Sequence, residues 1–156
     1  MLRALKPWLP VVLWMGVIFA VSTDLGSYQH TSRFIGPLLR WLIPDISPEA
    51  VRQVQFLVRK AAHFTEYAIL ALLARRAAGH SLRVAETHRH VRAAGLALLI
   101  AAGYAATDEW HQSFVPSRTA SPTDVLIDTT GAGAALAAAL LWRKWRATRS
   151  ARRQPE

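Results

Sequence analysis

Four stretches of the chain are apolar enough to cross a bilayer, and polar, charge-rich segments separate them. They cover about residues 7–23, 57–74, 93–110 and 125–142. A spanning helix needs about 20 apolar residues, range roughly 17–25, so each stretch is near the short end. Four buried helices of a small soluble protein would show similar runs, because length alone does not separate a core helix from a span. In either solvent the pattern predicts an all-α fold, read here as one domain over residues 1–156.

The connector between the first two stretches, about 24–56, has a pattern of its own. Phe34, Ile35, Leu38, Leu39, Trp41, Leu42 and Ile43 crowd beside Arg33 and Arg40. That mixture predicts a helix lying in the membrane interface or capping the bundle. Ser47-Pro48-Glu49 then gives a helix start, with a capping serine, a proline at the first helical position and an acid in the first turn. The second helix is expected to begin there and to continue to about Arg76.

Charge placement decides between the two solvents. The N-terminus, the connector 75–92 and the tail 143–156 hold 13 of the 19 basic residues, with only Glu86 and Glu156 as acids, for a net +11. The other segments hold 6 basic residues and 8 acids, for a net −2. Short loops rich in Lys and Arg stay cytoplasmic, so both termini and the 75–92 loop are assigned inside. A soluble bundle has no reason to alternate its charge in this way. The expected architecture is therefore a four-transmembrane-helix bundle whose long outer connector carries an interfacial helix. Arg3, Lys6, the first apolar run and Ala20-Val21-Ser22 also imitate a cleavable signal peptide, and cleavage would leave the other spans oriented as before. Cysteine is absent, which removes disulfides, thiolate metal sites and thiol nucleophiles from consideration. The overall +9 would suit nucleic acid, but the basic residues sort by membrane side instead of forming one stripe, so no nucleic-acid partner is expected. The Arg-rich tail reads as an inner anchor near anionic lipid.

Within this frame the candidate chemistry lies on one side of the bilayer. Lys60, His63, Glu66 and Tyr67 follow i, i+3, i+6 and i+7 spacing and share a helix face. Ionisable groups inside an apolar span are expensive and normally face the bundle interior or water. The third helix ends in Asp108-Glu109-Trp110-His111-Gln112, where Asp108 and Gln112 are four apart and Glu109 and Gln112 three apart. A turn containing Pro116, Arg118 and Pro122 follows, and the fourth helix opens with Asp124 and Asp128 at i, i+4. Asp124 could serve only as a cap, as could Ser121 or Thr123, whereas Asp128 is a full turn deeper. With the orientation above, all these groups fall in the outer half, level with Ser22, Thr23 and Asp24. The polar groups of several helix ends meeting at one level are what a bundle-embedded site requires. Glu66, Asp108, Glu109, Asp124 and Asp128 could together hold a divalent cation, the one cofactor this set would take. Alternatively their excess could serve acid–base work, while Lys60 and Arg118, with Arg59 nearby, suit a phosphate group. A purely structural ion-pair network is the competing reading. Gly131-Ala132-Gly133-Ala134-Ala135 reads as a close helix contact, and Gly95 and Gly103 read the same way. His30, His80, His88 and His90 show no metal-ligand spacing.

These residues resemble the VanZ-like family of bacterial membrane proteins. The resemblance rests on Lys60-x-x-His63-Phe64-x-Glu66-Tyr67, on Asp108-Glu109-x-x-Gln112-x-Phe114-x-Pro116-x-Arg118, and on Ser121-x-x-Asp124 with Gly131. It covers about residues 8–142. The chain departs from the pattern at Ser117, where the family commonly has Gly, and at Asp128, where Asn is frequent. The resemblance implies a bacterial cytoplasmic-membrane protein with a cell-envelope role, since the founding member is associated with teicoplanin resistance. Transferase-like labels on some relatives find no acyl-CoA or nucleotide motif here. Three functions stay open: an envelope protein binding a lipid-linked or phosphorylated surface molecule, a membrane-embedded hydrolase or transferase acting on one with metal assistance, and a small ion-coupled carrier.

Overall fold

The computed structural model describes residues 5–23, 28–82 and 85–151, without the side chains of 28–30, 86, 87 and 151. Arg3, Asp24, Arg83 and the end of the basic tail, residues 152–156, lie outside the described residues. All regular structure among the described residues is helical. A 3-10 turn, Lys6–Trp8, leads into α1 (Leu9–Ser22), and α2 (Tyr28–Leu42), α3 (Pro48–Ser81), α4 (Glu86–Gln112) and α5 (Pro122–Ala151) follow.

Local chemistry explains the helix starts. Pro48 and Pro122 occupy first helical positions, where a missing N–H costs nothing. The Ser47 hydroxyl accepts from the Ala50 N–H at 3.1 Å, the cap that the sequence suggests. Two helices run further than expected. α3 passes Arg76 and ends at Ser81, because Ala77 and Ala78 are fully buried against neighbouring helices. α5 passes Trp142 and carries the basic tail to Ala151 as helix.

α3, α4 and α5 pack against one another as the central bundle, α1 lies along α3 and α4, and α2 rests on α3. The interior is built mostly from alanine: Ala71, Ala74, Ala77, Ala97, Ala101, Ala105 and Ala132 have no exposed surface. Large apolar side chains point outward instead, among them Leu13, Phe19, Leu57, Leu99, Leu126 and Leu141. A soluble core shows the reverse, with its largest apolar groups inside. Small residues bring helix backbones close, the packing used where lipid and not water surrounds the bundle. At Gly131 the approach is extreme, since a Cβ there would lie 2.3 Å from the Phe64 carbonyl oxygen. Gly95, Gly103 and Gly133 have nothing within 4 Å of such a Cβ, so the close contact expected of Gly95 and Gly103 does not form.

Two helices are long and apolar enough to cross a bilayer by length and composition, His88–Gln112 and Pro122–Ser150. Lys6–Ser22 is a shorter apolar helix. α3 is interrupted by Arg59, Lys60, Glu66, Arg75 and Arg76, but its 34 residues extend about 50 Å at 1.5 Å per residue. α2 is strongly amphipathic. It exposes Phe34, Leu38, Trp41 and Leu42 on one stripe and turns Gly36 toward α3, where Gln55 and Val51 are its nearest neighbours.

Candidate functional site

The α3 face singled out by spacing does turn inward. His63 and Tyr67 are buried, and Lys60 and Glu66 are half-buried. Its i, i+3 step meets the i, i+4 step of α5 in two rungs. Lys60 donates to the Asp124 carboxylate, and His63 Nδ1 lies 3.4 Å from Asp128 Oδ1. The Lys60 ammonium also sits 5.1 Å from the Phe56 ring centroid. Asp124 is thus an ion-pair partner, while the Ser121 hydroxyl accepts the Thr123 N–H and serves as the cap. Tyr67 has no exposed surface and packs with its ring 6.3 Å from that of Tyr104.

The C-terminal end of α4 divides its polar groups between two tasks. Gln112 Nε2 donates to Asp108 Oδ2 at 3.0 Å, the i, i+4 pair visible in the sequence. Glu109 turns away from Gln112 and accepts the backbone N–H of Ser121, closing the turn between α4 and α5. From that turn Arg118 reaches the end of α1. Its Nε donates to the carbonyls of Ser22 at 3.2 Å and Thr23 at 3.1 Å, and Nη2 donates to that of Val21. Terminal carbonyls lack intrahelical donors, and a cation at a helix C-terminus also complements its dipole. Arg118 is therefore the C-terminal clamp of α1. Arg118→Lys keeps the charge but loses the planar fork, so we expect backbone amide exchange at Ala20–Thr23 to rise about tenfold or more, given roughly 1.5–3 kcal/mol for hydrogen bonds to a charged group.

A cavity of about 100 Å³ opens where α1, α2, α3 and α4 meet. Arg59, His63, Glu66, Asp108 and Arg118 line it, together with Ser22, Gln55 and Thr31. Its apolar wall is Ile18, Val21, Ile35, Val58 and Ala62. Ser22 Oγ, Gln55 Oε1 and Asp108 Oδ1 are buried and have no hydrogen-bond partner among the described residues. Such groups are rare, and three around one cavity mark a place where polar partners are wanted. Of the sequence-selected residues, His63, Glu66, Asp108 and Arg118 come together here. Lys60, Tyr67, Glu109, Gln112, Asp124 and Asp128 lie beside the cavity as partners or packing and do not line it.

The carboxylates anticipated as a cation set are distributed differently. Among the described residues no three His, Asp or Glu side chains are grouped so as to hold a metal ion. Asp124 goes to Lys60, Asp128 to His63 and Glu109 to the Ser121 backbone, leaving Glu66 and Asp108 on the cavity wall. The phosphate-suited cation also changes, because Lys60 is committed to Asp124 whereas Arg59 faces the cavity. Gln55, Thr31 and Ile35 are site residues that sequence reasoning missed. Gln55 was findable, since 55, 59, 63 and 66 continue one α3 face. Thr31 and Ile35 reach the site only because α2 folds over α3, which no local pattern reveals.

A sequence model of the family described as VanZ/LLP1 matches residues 8–143. No curated protein and no solved structure matches the chain.

Proposed function

This chain belongs to the VanZ/LLP1 family, and we propose that it is a four-span protein of the bacterial cytoplasmic membrane whose cavity binds the polar head of a lipid-linked envelope molecule. Both termini face the cytoplasm, as the division of charge requires, and α2 lies in the outer interface with Phe34, Leu38 and Trp41 toward lipid. α1 and α3 complete the spans begun by α4 and α5. The observation that carries the reading is the composition of the cavity. Two arginines, a histidine, two carboxylates and unpartnered hydroxyl and amide groups share it with an aliphatic wall. Arg59 suits an anionic group such as a phosphate, and Glu66 and Asp108 suit the hydroxyl or amine donors of a head group. About 100 Å³ has room for a single phosphate-sized part of such a head group, while the chains run out along the apolar wall.

Tolerance to teicoplanin is the expected phenotype of this envelope role. Expression in a susceptible bacterium should raise the inhibitory concentration. Glu66→Gln and Asp108→Asn should return it to baseline while the protein accumulates in the membrane at normal level. If the variants vanish from the membrane, the charges are structural and the binding reading loses its support. A catalytic reading has one observation in its favour, the His63–Asp128 pair. With Nδ1 directed at Asp128, Nε2 is the ring nitrogen left for a ligand, the arrangement of an oriented general base. It requires His63→Gln to abolish turnover of a lipid-linked phosphate while leaving binding intact.

A further inference from the structure

At the opposite end of the bundle, a second polar surface is built very differently. The inner ends of α3, α4 and α5 enclose an open groove of about 540 Å³. Arg75 from α3, His90 from α4, and Trp142, Arg143 and Arg146 from α5 line it, and no Asp or Glu is among the lining residues. Arg143 and Arg146 are one turn apart on the same face, and both are exposed. Arg75 is different, because its Nε is buried and meets no hydrogen-bond acceptor among the described residues. A guanidinium at the wall of a groove with an orphaned nitrogen still has donor capacity to satisfy.

The groove also has an apolar side. Ala139, Trp142 and Ala147 belong to its lining, and Trp142 is exposed at its edge. Trp142 stacks on Trp145 with ring centroids 4.8 Å apart, and Arg149 lies 4.0 Å over Trp145. Paired indoles at the end of an apolar helix mark the level of lipid head groups.

We infer that this groove binds the phosphate of an anionic phospholipid, held by Arg75, Arg143 and Arg146 with its acyl chains running alongside Trp142. The inference rests on reading the chain as a membrane protein, but not on what the outer cavity binds. Three guanidiniums, with no carboxylate among the described lining residues, select an anion. The planar fork fits phosphate oxygens bidentately, and the adjoining Trp142 indole favours a lipid over a soluble phosphate. Basic pockets between helices at the cytoplasmic surface take such head groups.

The test uses the full-length protein in vesicles of phosphatidylcholine with a minor fraction of phosphatidylglycerol. The readout is the phosphatidylglycerol retained after mild detergent extraction, counted by native mass spectrometry. Wild type should retain it, and Arg75→Gln/Arg143→Gln/Arg146→Gln should lower apparent affinity by about two orders of magnitude, from roughly a factor of ten or less per basic residue near the surface. Arg76→Gln/Arg92→Gln/Lys144→Gln removes the same charge from exposed positions at the same end outside the groove and should bind nearly as wild type. Equal loss in both triples overturns the site in favour of diffuse charge. Displacement by glycerol phosphate at the same concentration as the lipid overturns the choice of lipid. Should the first triple misfold, Arg143→Gln/Arg146→Gln alters only exposed positions and should still weaken retention about tenfold or more. Flotation with plain phosphatidylcholine vesicles separates the two failures. Protein that floats but retains no anionic lipid refutes the groove alone, and protein that does not float refutes the membrane reading with it.

Discussion

Replacing Gly131 with alanine is expected to disrupt the α3–α5 crossing and lower the thermal midpoint by roughly 6–12 °C. The added Cβ would meet the Phe64 carbonyl oxygen at 2.3 Å, with the Phe64 carbonyl carbon and Cα at 3.0 Å. All three are backbone atoms, so no rotamer change relieves the clash. Overpacking costs about 1–3 kcal/mol where side chains can yield, and here helices must separate, so about 3 kcal/mol or more is the reasonable figure. For a chain of this size each kcal/mol shifts the midpoint by about 2–4 °C. Gly133→Ala, two residues along, meets nothing within 4 Å and should leave the midpoint unchanged or slightly raised. Thermal unfolding of the detergent-solubilised protein, read by loss of its monodisperse peak, compares the two. A Gly131→Ala protein as stable as its Gly133→Ala counterpart would mean that the crossing is looser than described.

Breaking the Lys60–Asp124 pair from one side should cost nearly as much. The two side chains are only 19% and 9% exposed. Asp124→Leu strands a cation inside the bundle, and removing one partner of a buried pair costs about 3–5 kcal/mol. Lys60→Met strands the carboxylate instead. The double variant Lys60→Met/Asp124→Leu removes both charges and should recover most of the loss, because apolar replacement of a whole buried pair is often neutral. A coupling energy of about 2 kcal/mol or more, measured by the same thermal assay across the four proteins, is the expected result. Strict additivity of the two single changes would show that Lys60 and Asp124 act independently.

The α3 face was legible because 3.6-residue periodicity fixes which side chains share a side. Its partners were not, because pairing Lys60 with Asp124 spans 64 positions and depends on helix register. The same limit separates the glycines. Gly95, Gly103, Gly131 and Gly133 all permit a close approach, but only at Gly131 does another backbone arrive. Composition tells which faces can be close, and packing decides which are. Arg118 illustrates the point in another way. As a lone cation between prolines it read as a phosphate ligand, and its commitment to α1 carbonyls appears only once the turn is folded back. The acids suffered likewise, since level and charge were readable while the division of labour among them was not.

The polar attachments of α1 have a consequence for how the protein is made. Trp8 donates to Ser81 Oγ, Trp14 to the Glu66 carbonyl, and the Met15 carbonyl accepts from Tyr104, while Arg118 holds the last turn. Every one of these partners is synthesised after α1 itself. α1 therefore meets its partners in turn, those on α3 first and the Arg118 clamp last. Its sequence allows this, because Leu9–Ser22 carries no charge and is apolar on all sides. Docking of α1 is thus completed late in biogenesis. A nascent chain halted before Arg118 would hold α1 without its clamp, and the cavity that α1 walls would close only after α4 and the turn that follows it are in place.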